Sequence, residues 1–204
     1  MRIQTGLARL GLPFLSCLNR AFLGMCFVGL SGLAAPAQAH EIDFSVNANA
    51  FRAVYATALG NGLRLDGGWL YDSDEGDVFH AGLQVTGDAG TGNHNLTAGI
   101  GARLAYLDGD GNGRSGYALG LGGSVRWVIP RYDRFAVSGE YYWAPDILSG
   151  GDAKKYVDGT VRLGFSVTRQ ADVYVGARYT GADYNNRPSI LFDTGMHAGF
   201  NLRF

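Results

Sequence analysis

Three oxygen-bearing side chains occupy alternate positions in the segment 108–113, whose sequence is Asp-Gly-Asp-Gly-Asn-Gly. Alternating carboxylate and amide side chains form the first half of a Ca²⁺-binding loop, because a hard cation prefers oxygen ligands. Asp108, Asp110 and Asn112 are therefore a candidate calcium site. The twelfth position holds Leu119, where such a loop needs a bidentate carboxylate. An ordinary loop is the favoured interpretation, and we predict no resident metal or cofactor.

An acidic turn offers a second kind of chemistry. Asp72, Asp74, Glu75 and Asp77 lie within six residues, and His80 follows them closely. Such groups act as general bases when they lie about 3 Å from a substrate. A surface enzyme that acts on lipid or peptide is therefore one alternative. A solvated acidic turn explains the same residues without catalysis, so we predict that the protein is not an enzyme and has no catalytic residues.

A third group of charged residues alternates with apolar residues along most of the chain. Because successive side chains of a β-strand point to opposite faces, this group shares one face, which we predict lines a wet interior. Its members are Arg52, Arg64, Arg103, Arg126, Arg162, Arg178, Arg203, Asp43, Asp66, Glu140, Asp158, Asp193, His80 and His197.

The function of this interior depends on how its charges pair. If the seven arginines and five carboxylates pair across a narrow space, they plug it and the protein is structural. If some remain open to water, they line a narrow path for small solutes or ions, with a slight anion preference from the extra arginines. Roughly eight strands enclose an interior that side chains just fill, whereas 16–18 strands leave a water channel.

About ten alternating segments supply these two faces. In the segment 96–106, apolar residues alternate with threonine, glycine and arginine. The breaks after the third, fifth, seventh and ninth segments are acidic or long, and most of those after even-numbered segments are short, as in outer-membrane barrels. The pattern predicts an all-β fold, a transmembrane antiparallel up-and-down β-barrel of about ten strands. The first two segments give the weakest signal, so eight strands plus an N-terminal hairpin is the alternative.

Aromatic residues of the apolar face fall into two bands when the segments are placed in up-and-down order. Tyr and Trp favour membrane interfaces, because each ring has an apolar body and a polar tip. Two bands therefore indicate a membrane-spanning wall. One band contains Trp69, Tyr71, Phe79, Tyr106, Tyr117, Tyr141, Trp143 and Tyr179, and the other contains Trp127, Phe135, Phe165 and Phe204.

The composition agrees with a membrane barrel. Charged residues make up 17% of the 204 residues and hydrophobic residues 47%, whereas a soluble domain has about 25% charged residues. After position 40, no apolar run approaches the ~20 residues that a spanning helix needs. A soluble β-sandwich fits these properties less well.

The first 39 residues predict a cleaved secretory signal peptide. Arg2, Arg9 and Arg20 are its only charged residues, the segment 21–33 is apolar, and residues 37–39 form a small-x-small cleavage site. The mature chain is then a single barrel domain, residues 40–204. Both cysteines lie in the signal peptide, which excludes a disulfide from the mature domain.

The mature domain has a modest negative charge. It keeps 14 of the 17 Lys and Arg residues and all 18 Asp and Glu residues, for a net charge of −4. Nucleic-acid binding would require a basic patch, so we predict no nucleic-acid partner.

The C-terminal segment alternates strictly between apolar and polar residues and ends on an aromatic residue, Phe204. With Gly199 and Leu202, it resembles the terminal signal by which bacterial outer-membrane barrels are recognised for assembly. The resemblance implies contact with the barrel-assembly machinery, and with outer-membrane lipid and lipopolysaccharide.

Three further segments, 42–51, 139–146 and 173–179, have the sequences IDFSVNANAF, GEYYWAPD and VYVGARY. They resemble the YfaZ family of Gram-negative outer-membrane proteins. This resemblance implies an exported barrel in the bacterial outer membrane and assigns no catalytic residue. We predict a structural or narrow-channel, porin-like role with a charged, largely plugged lumen. A surface enzyme, or an adhesion module that uses outer loops such as 144–155, is the alternative.

Overall fold

The structure, a computed structural model, describes residues 39–90, 95–109, 114–185 and 187–204. The predicted signal peptide lies outside the described residues except for Ala39, and so do Asp110 and Asn112 of the candidate calcium loop. In the described part of the chain, no helix is long and apolar enough to cross a membrane.

The described residues form ten long strands, one three-residue strand and one short 3₁₀ helix, Asp146–Leu148. The strands are β1 (His40–Val46), β2 (Ala50–Gly60), β3 (Leu63–Asp72), β4 (Gly76–Asp88), β5 (Leu96–Gly109), β6 (Arg114–Val128), β7 (Phe135–Ala144), β8 (Ser149–Gly151), β9 (Ala153–Ser166), β10 (Ala171–Tyr184) and β11 (Arg187–Arg203).

The long strands form a closed antiparallel barrel. Each pairs with the long strands before and after it, and β1 pairs with β11 from Glu41↔Arg203 to Val46↔Ala198. Closure pairs the backbone groups that a free sheet edge would leave open to lipid. The predicted ten-stranded barrel is confirmed. The alternative of eight strands plus a hairpin is wrong, because β1 and β2 are part of the ring.

The apolar side chains of the alternating pattern cover the outside of the barrel. Ile100 is 76% exposed, and Val161 and Met196 are more than half exposed. Both predicted aromatic bands also face outward, as Tyr117 and Trp127 illustrate. An exposed apolar surface that surrounds the whole barrel needs a nonaqueous environment.

The start of β1 at His40 and the C-terminal Phe204 lie at one end of the barrel, here called the terminal end, and the opposite end is called the far end. Connections at the far end span residues 47–49, 73–75, 110–113, 145–152 and 185–186. Most of them are no longer than those at the terminal end, so the predicted difference in loop length is wrong. The far-end loops are shorter than the sequence predicts, because the flanking strands extend into the segments that were predicted to be loops.

The longest far-end connection folds back onto the barrel. β7 ends at Ala144, well before the far end of its neighbour β6, and β8 pairs with the part of β6 that β7 leaves open. Gly150 lies beneath the ring of Tyr117, where an added Cβ would come within 2.3 Å of the ring. Residues 144–155 are therefore largely part of the wall and do not form the long free loop that the sequence predicts.

Candidate functional site

The centre of the barrel interior is an ion cluster built around Arg103 of β5. Its guanidinium group lies 2.9 Å from Asp158, 3.3 Å from Asp66 and 3.3 Å from Glu140. These carboxylates come from β9, β3 and β7, so one side chain connects four strands. The Arg103 side chain is only 3% exposed and stacks on the Tyr142 ring at 4.0 Å. A buried arginine with several carboxylate partners and an aromatic face fits its planar, multi-donor group.

Further arginines extend the cluster across the lumen. Arg52 lies 3.6 Å from Asp158. Arg178 donates hydrogen bonds to Asp193 at 2.6 Å and to Ser45 at 2.5 Å. Arg52 therefore joins β2 to the central cluster, and Arg178 connects β10 with β11 and β1.

Arg162 forms a separate pair nearer the terminal end. It donates to Asp43 at 2.9 Å and lies over the Tyr174 ring at 4.8 Å. The Tyr174 hydroxyl donates to the other oxygen of Asp43 at 2.7 Å. Both oxygens of this carboxylate therefore have partners, which offsets the free-energy cost of burying it.

The far end of the lumen is filled by a layer of apolar side chains, here called the plug. Phe192 and Leu107 are fully buried, and Tyr156 is 1% exposed. Small residues fill the spaces between them, so large and small side chains interdigitate as in a protein core. The plug consists of Ala50, Leu70, Val78, Ala105, Leu107, Ala118, Ala144, Ala153, Tyr156, Ala182, Tyr184, Ile190 and Phe192.

The terminal end of the lumen contains a cavity of about 300 Å³, here called the vestibule. Its walls include Arg103 of the ion cluster, and its mouth is lined by Arg64, Arg126, Arg203 and Asp172. The lumen is thus divided into an open charged vestibule, a paired ion cluster and an apolar plug.

Comparison with known proteins agrees with this geometry. A family model described as "YfaZ precursor" matches residues 21–204. The chain belongs to the YfaZ family. "Outer membrane protein YfaZ" of Escherichia coli (strain K12) is 33% identical over 146 residues, which cover 70% of this chain and 76% of that protein. The family and the barrel fold place this YfaZ-family chain in the bacterial outer membrane.

A solved structure from work on the in-meso crystallisation of membrane proteins is also similar. It covers 82% of this chain and 83% of its own, with 9% identity and a TM-score of 0.42. Similarity of that size does not establish a shared topology for the YfaZ-family barrel.

The structure places all fourteen charged and histidine residues of the predicted lumen face on the interior wall of this YfaZ-family barrel. It also adds two carboxylates that sequence reasoning missed. Glu41 accepts a hydrogen bond from Arg64 at 3.0 Å, and Asp172 lies 3.2 Å from Arg126. With these two, the seven arginines of the predicted set face seven carboxylates, and Asp72 at the far end of β3 is a further buried carboxylate on the same face. The expected surplus of arginines over the whole lumen is wrong.

Both missed residues stand at strand ends. Glu41 shares the phase of Asp43 on β1, and Asp172 shares the phase of Tyr174 and Arg178 on β10. Extension of each alternating pattern by one step would have identified both.

The acidic turn and His80 do not form a joint site. His80 faces the lumen, buried, 3.6 Å from Asp66. Asp77 lies on the opposite face of β4, where it accepts a hydrogen bond from the Trp69 indole at 2.6 Å. Asp72 accepts the backbone N–H groups at positions 74 and 75. This part of the YfaZ-family barrel is thus a hydrogen-bonded turn, with its histidine directed away from the outer surface.

Asp108 of the candidate calcium loop lies on β5, in register with Ser115 of β6 and Asp77 of β4. The other two candidate ligands lie outside the described residues. His197 is buried on the lumen side, with its ring edge-on to Tyr174 at 5.9 Å.

The residues of the predicted assembly signal lie at the C-terminal end of the barrel wall, in and just after β11. Leu202 and Phe204 face outward, exposed. Gly199 lies on the lumen face opposite Tyr174. A Cβ at position 199 would lie 2.3 Å from the Phe44 carbonyl oxygen and 2.5 Å from the Tyr174 hydroxyl. Glycine at this position is therefore explained by close packing within the barrel.

Proposed function

We propose that this YfaZ-family protein is a structural outer-membrane barrel whose lumen is sealed against the passage of solutes. The observation that carries the proposal is the plug, in which Phe192 and Leu107 are fully buried. An ion that crossed it would lose its hydration and would gain only the hydroxyl groups of Tyr156 and Tyr184 as polar partners, at a large cost in free energy.

The ion cluster supports the same proposal. Arg103 contacts carboxylates on three other strands, so an ion that reached the layer would have to break buried pairs. Removing one partner of such a pair costs about 3–5 kcal/mol. Two successive barriers of different chemistry therefore stand between the vestibule and the far end.

The orientation follows from the rule for outer-membrane barrels. In such barrels the termini lie on the periplasmic side, and the terminal end of this barrel contains both His40 and Phe204. We place the vestibule towards the periplasm and the plug towards the exterior. We also propose that the outer wall contacts outer-membrane lipid and lipopolysaccharide, and that the protein is not a hydrolase, because His80 and Asp77 face opposite sides of β4.

Planar-bilayer recording of the refolded mature protein tests the sealed lumen. We expect no steady open state after insertion, with insertion verified by a band that shifts on a cold detergent gel when the sample is boiled. Reproducible conductance steps from the wild-type barrel would overturn the proposal and favour the narrow channel.

A further inference from the structure

A chain of polar contacts runs along the mouth of the vestibule. Arg64 pairs with Glu41, which accepts a hydrogen bond from Asn201. The Asn201 side chain accepts a hydrogen bond from Arg203 at 3.4 Å. Arg203 and Arg126 then both contact the same oxygen of Asp172. All these residues line the vestibule.

The charges of this mouth do not balance locally. Three arginines oppose two carboxylates at this end of the lumen. The surplus is concentrated at Asp172, where one carboxylate neutralises two guanidinium groups. Two like charges held beside one counter-charge repel each other, so an additional negative charge beside Arg126 and Arg203 would be favourable.

The same two arginines are accessible from the terminal end. The side chains of Arg126 and Arg203 are 40% and 38% exposed, whereas that of Asp172 is 7% exposed. The carboxylate is thus buried, whereas both guanidinium groups are partly exposed and line the vestibule. A guanidinium group presents five donors in one plane and binds carboxylate or phosphate oxygens in pairs.

We propose that the vestibule is a binding site for a small oxyanion, a phosphate or carboxylate group, held by Arg126 and Arg203 at its mouth. The cavity of about 300 Å³ is at the lower end of the range for ligand pockets, so it takes a small solute. Binding requires no passage through the plug. The site therefore goes beyond the sealed structural role, and it would remain if the barrel proved to conduct.

Calorimetric titration tests this site on the refolded mature barrel in nonionic detergent at low salt, with a phosphate-free buffer. Inorganic phosphate and succinate are titrated separately, because they carry the two kinds of oxyanion. We expect saturable binding of at least one of them, weakened by added salt. Arg126→Gln or Arg203→Gln should weaken it by about tenfold, the usual effect of losing a charged hydrogen bond.

The variant Asp172→Asn distinguishes anion binding from the alternative that the polar contacts at the mouth only stabilise the barrel. Removal of the carboxylate leaves both guanidinium groups without their shared counter-charge, so anion affinity should rise by about fivefold. A mouth that serves only stability would lose stability in this variant without gaining affinity.

Arg169→Gln is the matched control. Arg169 is exposed in a turn at the same end and does not line the vestibule, so its removal changes the net charge without changing the site. Affinity within twofold of the wild type is expected. The proposal is overturned if neither anion binds saturably, or if Arg126→Gln and Arg169→Gln have equal effects.

Discussion

His40 and Phe204 exchange two backbone hydrogen bonds that close the barrel. The His40 N–H donates to the Phe204 carbonyl at 2.9 Å, and the Phe204 N–H donates to the His40 carbonyl at 3.0 Å. The two rings also stack at 5.7 Å, and the His40 ring lies 2.7 Å from the Tyr55 hydroxyl oxygen. The aromatic residue of the predicted assembly signal is therefore also part of the closing seam.

Deletion of Phe204 should weaken closure by about 2 kcal/mol, since two hydrogen bonds of about 1 kcal/mol each are lost. The measurement is the fraction of chain that reaches the fast-migrating folded form on a cold gel after refolding into lipid vesicles. Phe204→Tyr retains the backbone bonds and the ring, and should refold as the wild type does. Equal folding of the deletion variant would show that the seam does not depend on Phe204.

Gly199→Ala should destabilise the barrel by about 1–3 kcal/mol, the usual range for overpacking. The new methyl group would collide with the Phe44 carbonyl oxygen and the Tyr174 hydroxyl. Urea unfolding followed by tryptophan fluorescence gives the difference. Gly87→Ala is the control, because a Cβ at position 87 meets no atom within 4 Å. Similar unfolding midpoints for the two variants would contradict the packing explanation.

Arg103→Met should destabilise the barrel by about 3–5 kcal/mol, because it leaves buried carboxylates without their shared cation. Arg64→Met provides the comparison. Arg64 pairs with Glu41 at the vestibule mouth with a side chain that is 28% exposed, so its loss should cost at most about 1 kcal/mol. The two free energies of unfolding, measured in parallel, test whether the central cluster is structural. A smaller loss of unfolding free energy in Arg103→Met than in Arg64→Met would refute a structural role for the cluster.

Opening the plug should expose the middle of the lumen to the cell exterior. Both cysteines of the chain lie in the predicted signal peptide, so Thr180→Cys, a buried position beside Asp158, supplies a single reporter thiol. In intact cells, a bulky maleimide should leave this reporter unlabelled and should label it once Tyr156→Ala and Phe192→Ala are added.

The reporter experiment has a matched control at the outer wall. Tyr71→Ala removes an aromatic ring from the outward face and should leave the Thr180→Cys thiol protected. Retention of the heat-shifted gel band shows that each labelled variant is folded. Labelling of the reporter in the unaltered barrel would mean that the plug does not seal the far end.

Period-two alternation was sufficient to predict the barrel and the location of most interior charges. Arg103, for example, has an apolar neighbour on each side in the sequence. Because successive side chains of a strand point to opposite faces, the apolar neighbours face lipid and Arg103 faces the lumen. Glu41 and Asp172 were missed because the alternation was ended one step too early at strand ends. Pairing partners were not predictable, since contacts such as Arg103 with Asp158 depend on the shear of the closed sheet.

The plug was missed for a different physical reason. Phe192 and Asp193 are consecutive and both buried, because a register shift against β10 places an extra residue in β11. A β-bulge of this kind changes the phase of a strand, so an alternation rule cannot follow it. Leu107 was also missed, because the predicted segment 96–106 ends before it, whereas β5 continues to Gly109.

If the lumen is sealed as proposed, its interior is closed to water at the far end and open to water at the vestibule. Water in the vestibule would then exchange with a single compartment, and the molecule would resemble a cup more than a pipe. Solutes would then reach the arginines at the rim of that cup only from the periplasmic side of the membrane.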